Sequence, residues 1–423
     1  MTKKQRIEKL KIAVLGAGHG GRAMAAYLAA IGCEVNLYNR TLENIQNIRN
    51  CGGIFLRYTP DLEDNIFPEG IVHIGNIFPE RREHIDAETK HEYSLKPQTE
   101  ELVEEDVKYI FGKLNIISSN IEEVIKDTDL ILVVIPATGH RYIAEKCAPY
   151  LKDKQIILLN PGRCFGAIEF YKIINEHYRD RKPPDVTIAE AQTFIYASRR
   201  TTPRSVRILG IKNSVNIAAI PSYKTKDIVD LLGDVYPQFT PTDNVLRTSL
   251  GNLGGIFHVP ITILNTTKID AKQHFKYYRE GITEHTASII EDIDRERLSI
   301  SEAMGMEVIS ARKWLYQTYG SEGIDLYEAV QNTHTYKGIE SPGSINHRYI
   351  WEDVPTGLVP LSSLGKKLNI PTPLIDSFIY QATSALRKYL NIDFYETGRT
   401  MEKLGLEDMS IDEIKEFAET GNL

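Results

Sequence analysis

The stretch "KIAVLGAGHGGRAMAAYLAAIGCEVNLYNRT", residues 11–41, decides the fold of the N-terminal half. It reads as a short apolar strand, a glycine cluster, a helix and a second apolar strand. Gly16, Gly18 and Gly21 have GxGxxG spacing, which provides a tight turn, close approach to a pyrophosphate and close helix–strand packing. The helix N-terminus adds free N–H groups for phosphates. The stretch therefore predicts a Rossmann dinucleotide-binding domain.

The end of the second strand selects the cofactor. A carboxylate there would bind the adenine ribose 2′-hydroxyl, but the chain has "YNRT", residues 38–41. Arg40 offers a guanidinium to a 2′-phosphate, and its neighbours add hydrogen bonds. We expect NADP, with NAD still open if Arg40 is only a solvated surface charge. The expected cofactor-binding residues are Gly16, Gly18, His19, Gly20, Gly21, Asn39, Arg40, Thr41 and Pro136.

Further strands continue the α/β pattern. A buried strand ends at Pro136, so Thr138 and His140 follow it at the carboxyl edge of the sheet, where ligands bind. We expect both residues to contact substrate or the nicotinamide ribose. The "NPGR" segment, residues 160–163, follows another strand, and antiparallel strands close the sheet near residue 221. Other polar residues expected near this edge are Glu190, Thr193, Tyr196 and Arg199.

The region 55–113 interrupts this pattern with a long, mostly acidic excursion. His84 and His91 lie near carboxylates there, so a metal site is conceivable, but an exposed insertion with some helix is the favoured interpretation. We expect no metal. The predicted domains are a Rossmann domain, 1–222, and a helical domain, 223–423.

Composition limits the class of function. The 423 residues exceed one ordinary core, and the mild net charge of −7 argues against nucleic acid or an anionic membrane as partner. We see neither a membrane-spanning run nor a signal peptide. The cysteines lack CxxC spacing and read as free thiols in a reducing cytosol: Cys33, Cys51, Cys147 and Cys164. The expected location is the cytoplasm.

Helical periodicity dominates after residue 225. Helices are predicted at 225–233, 251–268, 272–304, 306–318, 373–389 and 410–419. Ser410 and Glu413 have capping-box spacing at the start of the last one. An α/β domain followed by an all-α domain places the active site in the cleft between them.

One titratable ring interrupts the apolar segment "GNLGGIFHVPITILN", residues 251–265. His258 lies on a helix that is apolar nearly all round, and Pro260 should deform that helix nearby. A buried structural histidine is one interpretation. The other is a proton donor that faces the nicotinamide across the cleft, since histidine titrates in the required range.

A catalytic histidine needs a carboxylate to orient it. Asp353, beside Glu352 in a Pro- and Gly-rich stretch expected to be a loop, is the candidate. Arg348 could bind a substrate carboxylate by a two-pronged contact. The ordinary alternatives are a helix cap for Asp353 and a surface ion pair for Arg348.

At this point the chain resembles the opine dehydrogenases, which include octopine, nopaline and N-(1-carboxyethyl)-norvaline dehydrogenases. The resemblance covers nearly the whole chain and rests on "GAGHGG", "VIPATGH", "NPGR..GA", "AEAQTFIYASR", "IFHVPITILN", "EG...H....IEDIDRERLSISEAMG" and "HRYIWEDVPTGLVPL...NIPTP". It implies a catalytic pair, His258 and Asp353, with Arg348 at the substrate. The acidic insertion and Val259, which separates His258 from Pro260, depart from the family pattern.

The resemblance implies NADPH-dependent condensation of an L-amino acid with a 2-oxo acid such as pyruvate through an imine. One rival is a ketopantoate reductase-like or 3-hydroxyacid dehydrogenase that needs no amine, for which Lys268 or Lys272 would supply the family's lysine. A second is a non-catalytic NADP-binding protein. The sequence leaves the two substrates open, and a homodimer is one option for the assembly.

Overall fold

Two β-sheets and a helical body make up the computed structural model, which describes residues 3–67 and 107–422. The predicted class, a Rossmann domain followed by helices, is confirmed. The described strands are β1 (Lys11–Leu15), β2 (Glu34–Tyr38), β3 (Gly53–Tyr58), β4 (Lys108–Lys113), β5 (Ile116–Ser118), β6 (Leu130–Val133), β7 (Ile156–Leu159), β8 (Thr187–Ala191), β9 (Tyr196–Thr202), β10 (Ser205–Ile211), β11 (Val215–Ile220) and β12 (Phe239–Pro241).

The larger sheet has the order β5-β2-β1-β6-β7-β8-β11-β12. All neighbours are parallel except β8 and β11. Its central strands are apolar along their whole length because helices cover both faces of a parallel sheet. The strand order reverses between β1 and β6, and the carboxyl ends of such strands form the crevice where dinucleotides bind.

The smaller sheet has the order β4-β3-β10-β9 and corrects the expected insertion 55–113. β3 and β4 pair antiparallel from Gly53 opposite Lys113 to Tyr58 opposite Lys108, so both ends of that region are strands. Arg57, Lys108 and Lys113 interrupt the apolar pattern of these two strands at positions that are partly or fully exposed. His84 and His91 lie outside the described residues.

The sheet continues beyond the predicted boundary at 222. Helix 225–232, expected to open the second domain, instead connects β11 to β12, which are parallel neighbours. Parallel strands need such a crossover connection, so a helical period here did not mark a new domain. We therefore propose a boundary near residue 241.

The helices are α1 (Lys3–Glu8), α2 (His19–Ala30), α3 (Gln46–Cys51), α4 (Glu63–Ile66), α5 (Ile121–Ile125), α6 (His140–Cys147), α7 (Gly166–His177), α8 (Thr225–Leu232), α9 (Val245–Leu250), α10 (Gly254–Leu264), α11 (Thr266–Asp270), α12 (Glu284–Ala303), α13 (Ala311–Tyr319), α14 (Leu326–Asn332), α15 (Arg348–Trp351), α16 (Val359–Leu368), α17 (Pro373–Leu390), α18 (Phe394–Thr397), α19 (Met401–Leu404) and α20 (Ile411–Thr420). A π-helical turn, Val354–Leu358, connects α15 to α16.

The predicted helices at 225–233, 373–389 and 410–419 match α8, α17 and α20, and the Ser410–Glu413 capping box is present. The prediction 251–268 was too simple, because α10 and α11 divide it. The predictions 272–304 and 306–318 began too early. Side-chain caps at Thr283 and Ser310 start α12 and α13 instead.

Asp353 lies in a helical segment and not in the expected loop. It directly precedes the π-helical turn. Pro355 and Pro360 read as loop signals, but each occupies a first helical turn, where a missing N–H is tolerated. The described cysteines are free thiols, and three are buried. Within the described residues, every helix is too short or too polar to cross a membrane.

Candidate active site

A cavity of about 210 Å³ lies where the sheet domain meets the helical domain. The sheet domain contributes Pro161, Arg163, Gln192, Thr193, Phe194, Ala197 and Lys212 to its wall. The helical domain contributes Gly251, Leu253, Gly254, Phe257, His258, Tyr278, Trp314, Tyr319, Tyr336, Ile339 and Arg348. The position of this cavity agrees with the expected interdomain site.

His258 is held by hydrogen bonds at both ring nitrogens. Nδ1 lies 2.8 Å from Oδ2 of Asp353, and Nε2 lies 2.9 Å from the hydroxyl of Tyr278. An ionised carboxylate only accepts, so Nδ1 carries the hydrogen and donates it. Nε2 of the neutral ring then accepts from Tyr278 and is the atom that gains and loses a proton. This tautomer leaves the basic nitrogen on the side that faces the cavity.

Aromatic rings fix the plane of His258. Tyr349 stacks on it at 4.2 Å between centroids and 24° between planes. The hydroxyl of Tyr277 donates to the backbone carbonyl of His258 at 2.9 Å, and α10 continues through Pro260. The His258 side chain is 17% exposed, against 0% for Asp353, so solvent reaches the histidine but not the aspartate.

The carboxylate of Asp353 is ionised although its side chain is fully buried. Burial by itself would raise the pKa of its carboxyl, but Arg163, His258 and Arg348 together lower the pKa below its ordinary value of 3.8. Nη1 of Arg163 lies 2.8 Å from Oδ1 of Asp353. Burial by itself would lower the pKa of Arg163, but the carboxylates of Asp353 and Glu352 raise this pKa above its ordinary value. Both groups therefore stay charged at neutral pH.

Glu352 connects this pair to the sheet. Its Oε1 accepts from the backbone N–H of Ala137 at 3.2 Å and from Nε of Arg163 at 3.3 Å. Its Oε2 accepts from Nε of Arg348 at 2.8 Å. Ala137 begins the loop after β6, at the cofactor edge, so Glu352 fixes the position of that loop relative to both arginines.

The loop after β7 presents Arg163 under strain. Arg163 and Phe165 both have φ of +60°, a left-handed conformation that side chains rarely adopt. Such residues typically cost about 1–3 kcal/mol each and cluster at functional sites. A Cβ on Gly254 would lie 1.8 Å from Nη1 of Arg163 and 2.7 Å from Oδ1 of Asp353. Only glycine fits between α10 and this ion pair.

The glycine turn fits a dinucleotide. Gly16 has φ of +119°, and a Cβ on Gly21 would lie 1.8 Å from the carbonyl oxygen of Gly16, so packing within the protein requires both glycines. Gly20 faces the ring of Phe194, 2.6 Å from where its Cβ would be. A Cβ on Gly18 would meet nothing within 4 Å. The open space at Gly18 is where a pyrophosphate would approach the N-terminus of α2.

The other predicted cofactor residues surround this turn. Asn39 accepts from the backbone N–H of Ala17 at 3.3 Å and donates to the carbonyl of Thr41 at 2.8 Å. Arg40 is exposed and lies over the ring of Tyr142, 5.6 Å from its centroid. His19 begins α2, where Nδ1 accepts from the backbone N–H of Arg200, and Pro136 is exposed in the loop after β6.

Thr138 and His140 are not brought to the cavity. Thr138 is exposed, and His140 is fully buried with Nδ1 2.9 Å from Nη2 of Arg399. Burial and this arginine lower the pKa of His140 well below its ordinary value. His140 begins α6, so its side chain packs under the loop and does not project over the sheet edge. We therefore withdraw His140 as a substrate-binding candidate.

Arg399 ties the C-terminal segment to the same edge. It is buried and donates to the carbonyls of Gly162 and Cys164 at 3.0 Å and of Ala137 at 3.2 Å. The loops after β6 and β7 are therefore cross-linked by one side chain from near the end of the chain. Nothing in the local sequence around Arg399 distinguishes it from a surface arginine.

Of the other polar residues expected at the edge, only Thr193 lines the cavity. Glu190 is buried and accepts from Thr248 at 2.6 Å and Ser249 at 2.8 Å. Tyr196 packs in an aromatic cluster around Tyr27. These side chains support the fold beneath the site.

The chain is similar to proteins whose family is known. A family model described as NAD/NADP octopine/nopaline dehydrogenase, alpha-helical domain, matches residues 241–386, which begins where the sheet ends. Opine dehydrogenase of Arthrobacter sp. (strain 1C) is 35% identical over 413 residues, covering 98% of this chain and 100% of that protein.

The chain belongs to the opine dehydrogenase family. It is an NAD(P)-dependent oxidoreductase that acts on a CH–NH bond. An octopine dehydrogenase structure in complex with NADH and agmatine shares the fold, with a TM-score of 0.72, 18% identity and coverage of 98% of this chain and 99% of that one. An NADP+-bound yersinopine dehydrogenase is similar at a TM-score of 0.62, with 13% identity and coverage of 97% and 98%.

Sequence reasoning did not select several residues of this candidate site. Arg163 was visible, because "NPGR" follows a buried strand at the ligand edge. Lys212 was detectable as a single charge between two apolar strands. No local sequence pattern marks Tyr278 or Tyr349 as a site residue. Tyr278 falls within the predicted helix 272–304, which in the structure begins only at Glu284.

Proposed function

We propose that this chain reductively condenses an L-amino acid with a pyruvate-like 2-oxo acid, using NADPH, to give an N-(carboxyalkyl)amino acid. The amine and the ketone lose water and form an imine. One hydride and one proton then convert the imine to a secondary amine. A single observation carries the proposal: His258, held by Asp353 through Nδ1, lines the cavity between the two domains.

Our proposal gives each residue of the pair one task. His258 is the catalytic residue and exchanges the proton at Nε2 during condensation and reduction. Asp353 is a positioning residue that holds the tautomer and stabilises the imidazolium by its negative charge. Tyr278 fixes Nε2 until substrate enters.

Arg348 is the proposed site for the carboxylate of the 2-oxo acid. It is 44% exposed, lines the cavity, and contacts Glu352 through Nε and Nη2. Glu352, which accepts from Arg348, also accepts from the backbone N–H of Ala137, so Arg348 is connected to the loop after β6 at the cofactor edge. The carboxylate next to the reacting carbon would thereby lie at the cofactor end of the cavity.

The residues around the glycine turn would hold NADPH, which supplies the hydride when bound. The space at Gly18 suits a pyrophosphate, and exposed Arg40 suits a 2′-phosphate. The lysines expected for a ketopantoate reductase-like enzyme lie outside the cavity wall. Lys272 is exposed and donates to Gly343, and Lys268 lies over Phe275. These placements favour an amine-dependent reaction.

The test is NADPH oxidation by the purified protein with pyruvate, with and without a panel of L-amino acids. We expect oxidation only when amine and oxo acid are both present. The variant His258→Ala should lose about 10²–10⁴-fold in turnover while NADPH affinity stays unchanged. His274→Ala, an exposed histidine of the same domain, is the matched control. Turnover of His258→Ala within a few-fold of wild type would refute the assignment.

A further inference from the structure

Lys212 occupies a fixed position between the two domains. It follows β10, and its backbone N–H donates to the carbonyl of Ile195 at 3.0 Å. The next N–H, of Asn213, donates to Thr318 at the end of α13 at 3.3 Å. Nζ of Lys212 donates to the carbonyl of Phe194 at 2.6 Å. The ammonium group is therefore held at the cavity wall by its surroundings.

The charge of Lys212 is not balanced within the described part of the chain. Three strong cations line the cavity there, and two of them have carboxylates: Arg163 contacts Asp353 and Glu352, and Arg348 contacts Glu352. Among the described residues, Lys212 forms no ion pair with a carboxylate, although it is only 8% exposed.

A buried ammonium without a counter-ion is unfavourable, so its environment favours either proton loss or an anion. Burial, and after it the charge of Arg163, lower the pKa of Lys212 to about 8. One ammonium N–H is used by Phe194, and the others remain for a ligand, since Lys carries three donors. An anionic group in the cavity would restore the charged form and complete its hydrogen bonds.

The proposed reaction brings two carboxylates into this cavity, one from each substrate. Arg348 lies at the cofactor end and suits the carboxylate of the 2-oxo acid, whose carbon receives the hydride. Lys212 belongs to another part of the cavity wall, the β10–β11 connection, and lies over the ring of Tyr319 at 5.8 Å from its centroid, whereas Arg348 belongs to α15. The amino-acid part of the substrate would extend from the reacting carbon toward this wall.

We propose that Lys212 binds the carboxylate of the amino-acid substrate and thereby selects amino acids over simple amines. This inference rests on the proposed function, because it assigns one of that reaction's two carboxylates. Lys212 would be a specificity-determining residue and not the proton donor, since the proposed function assigns proton transfer to Nε2 of His258.

The experiment compares Lys212→Met, Lys212→Arg and the control Lys272→Met. Wild type, each variant and the control are assayed with NADPH, pyruvate and the best amino acid of the panel. We expect Lys212→Met to raise the KM for the amino acid about 10- to 100-fold, as loss of a charge-assisted hydrogen bond predicts. The KM for pyruvate and the Kd for NADPH should stay nearly unchanged. Lys212→Arg should recover part of the loss, and Lys272→Met should match wild type.

A second comparison uses the decarboxylated amine of the same amino acid. Wild type should prefer the amino acid strongly, whereas Lys212→Met should lose most of that preference. A merely structural role would lower the use of both compounds alike, and that result would overturn the proposal. A rise in the KM for pyruvate alone, or an unchanged amino-acid KM in an active protein, would also overturn it. Wild type that needs no amine would instead refute the proposed function, and the Lys212 assignment would fall with it.

Discussion

Replacing Gly18 by alanine separates binding of the cofactor from folding. Gly18 has φ of −72° and ψ of −167°, values that alanine adopts without strain, and a new Cβ would meet no atom within 4 Å. Gly18 precedes α2 as its N-cap, where alanine is less favourable than glycine by up to about 1 kcal/mol. Reduced freedom of the unfolded chain offsets this by about 0.4–1 kcal/mol. The free energy of unfolding should therefore change by no more than about 1 kcal/mol.

The affinity for NADPH should respond much more. A methyl group at Gly18 would fill the space through which a pyrophosphate reaches the backbone N–H groups at the start of α2. Losing one hydrogen bond to a charged group costs about 1.5–3 kcal/mol. That range corresponds to an increase of about 10- to 100-fold in the Kd, since 1.4 kcal/mol is tenfold.

The assay is titration of NADPH by its fluorescence, paired with a urea unfolding curve for each protein. Gly21→Ala is the matched control, because its Cβ would lie 1.8 Å from the carbonyl oxygen of Gly16 and should reduce stability itself. An unchanged Kd for the stable Gly18→Ala variant would show that no phosphate approaches this turn. A large loss of stability in Gly18→Ala would refute the argument that the space is open.

Three further results are expected. Arg40→Ser should raise the Kd for NADPH about 10- to 100-fold and leave the Kd for NADH unchanged, because only NADPH carries a 2′-phosphate; equal effects on both cofactors in binding titrations would contradict this. Gly254→Ala should push Arg163 away from Asp353 and lower kcat about 10- to 100-fold with no change in NADPH affinity, whereas Gly343→Ala, with nothing within 4 Å of its new Cβ, should behave as wild type. Asp353 has a lowered pKa in the folded chain, so its contribution to stability is present above its unfolded pKa of 3.8 and is lost as the pH falls through the folded pKa. Urea unfolding across that range should show this loss in wild type, and a variant Asp353→Asn with the same pH slope would contradict the assignment.

Local patterns were sufficient for the elements whose signals are local. The glycine turn, the flanking strands and the Ser410–Glu413 cap each depend on residues close together in the chain, and each was predicted. His258 stood out because an imidazole in an apolar helix needs an explanation. The sequence also indicated Asp353 as the partner of His258. The local structure around Asp353 was predicted wrongly, because Pro355 and Pro360 begin helical turns and do not mark a loop.

The rest depends on contacts between residues far apart in sequence. Arg163 reaches Asp353, 190 positions later, and no spacing rule reports such a pair. Tyr278 was assigned to a helix because its neighbourhood is rich in helix-forming residues, whereas the side-chain cap at Thr283 delays the helix. The prediction that His140 lies at the substrate was wrong for a different reason. Its position after a strand suggested the sheet edge, but the first turn of α6 directs it into the core.

The contacts of Arg399 have a consequence for how the protein is made. Chains are synthesised from the N-terminus, and domains generally fold in that order. The strands β1, β6 and β7 are available early, but the loops that follow β6 and β7 are joined by the side chain of Arg399, which comes 240 residues after the end of β7. We therefore expect a nascent chain with a largely formed sheet whose cofactor edge stays open until the segment with Arg399 has been synthesised.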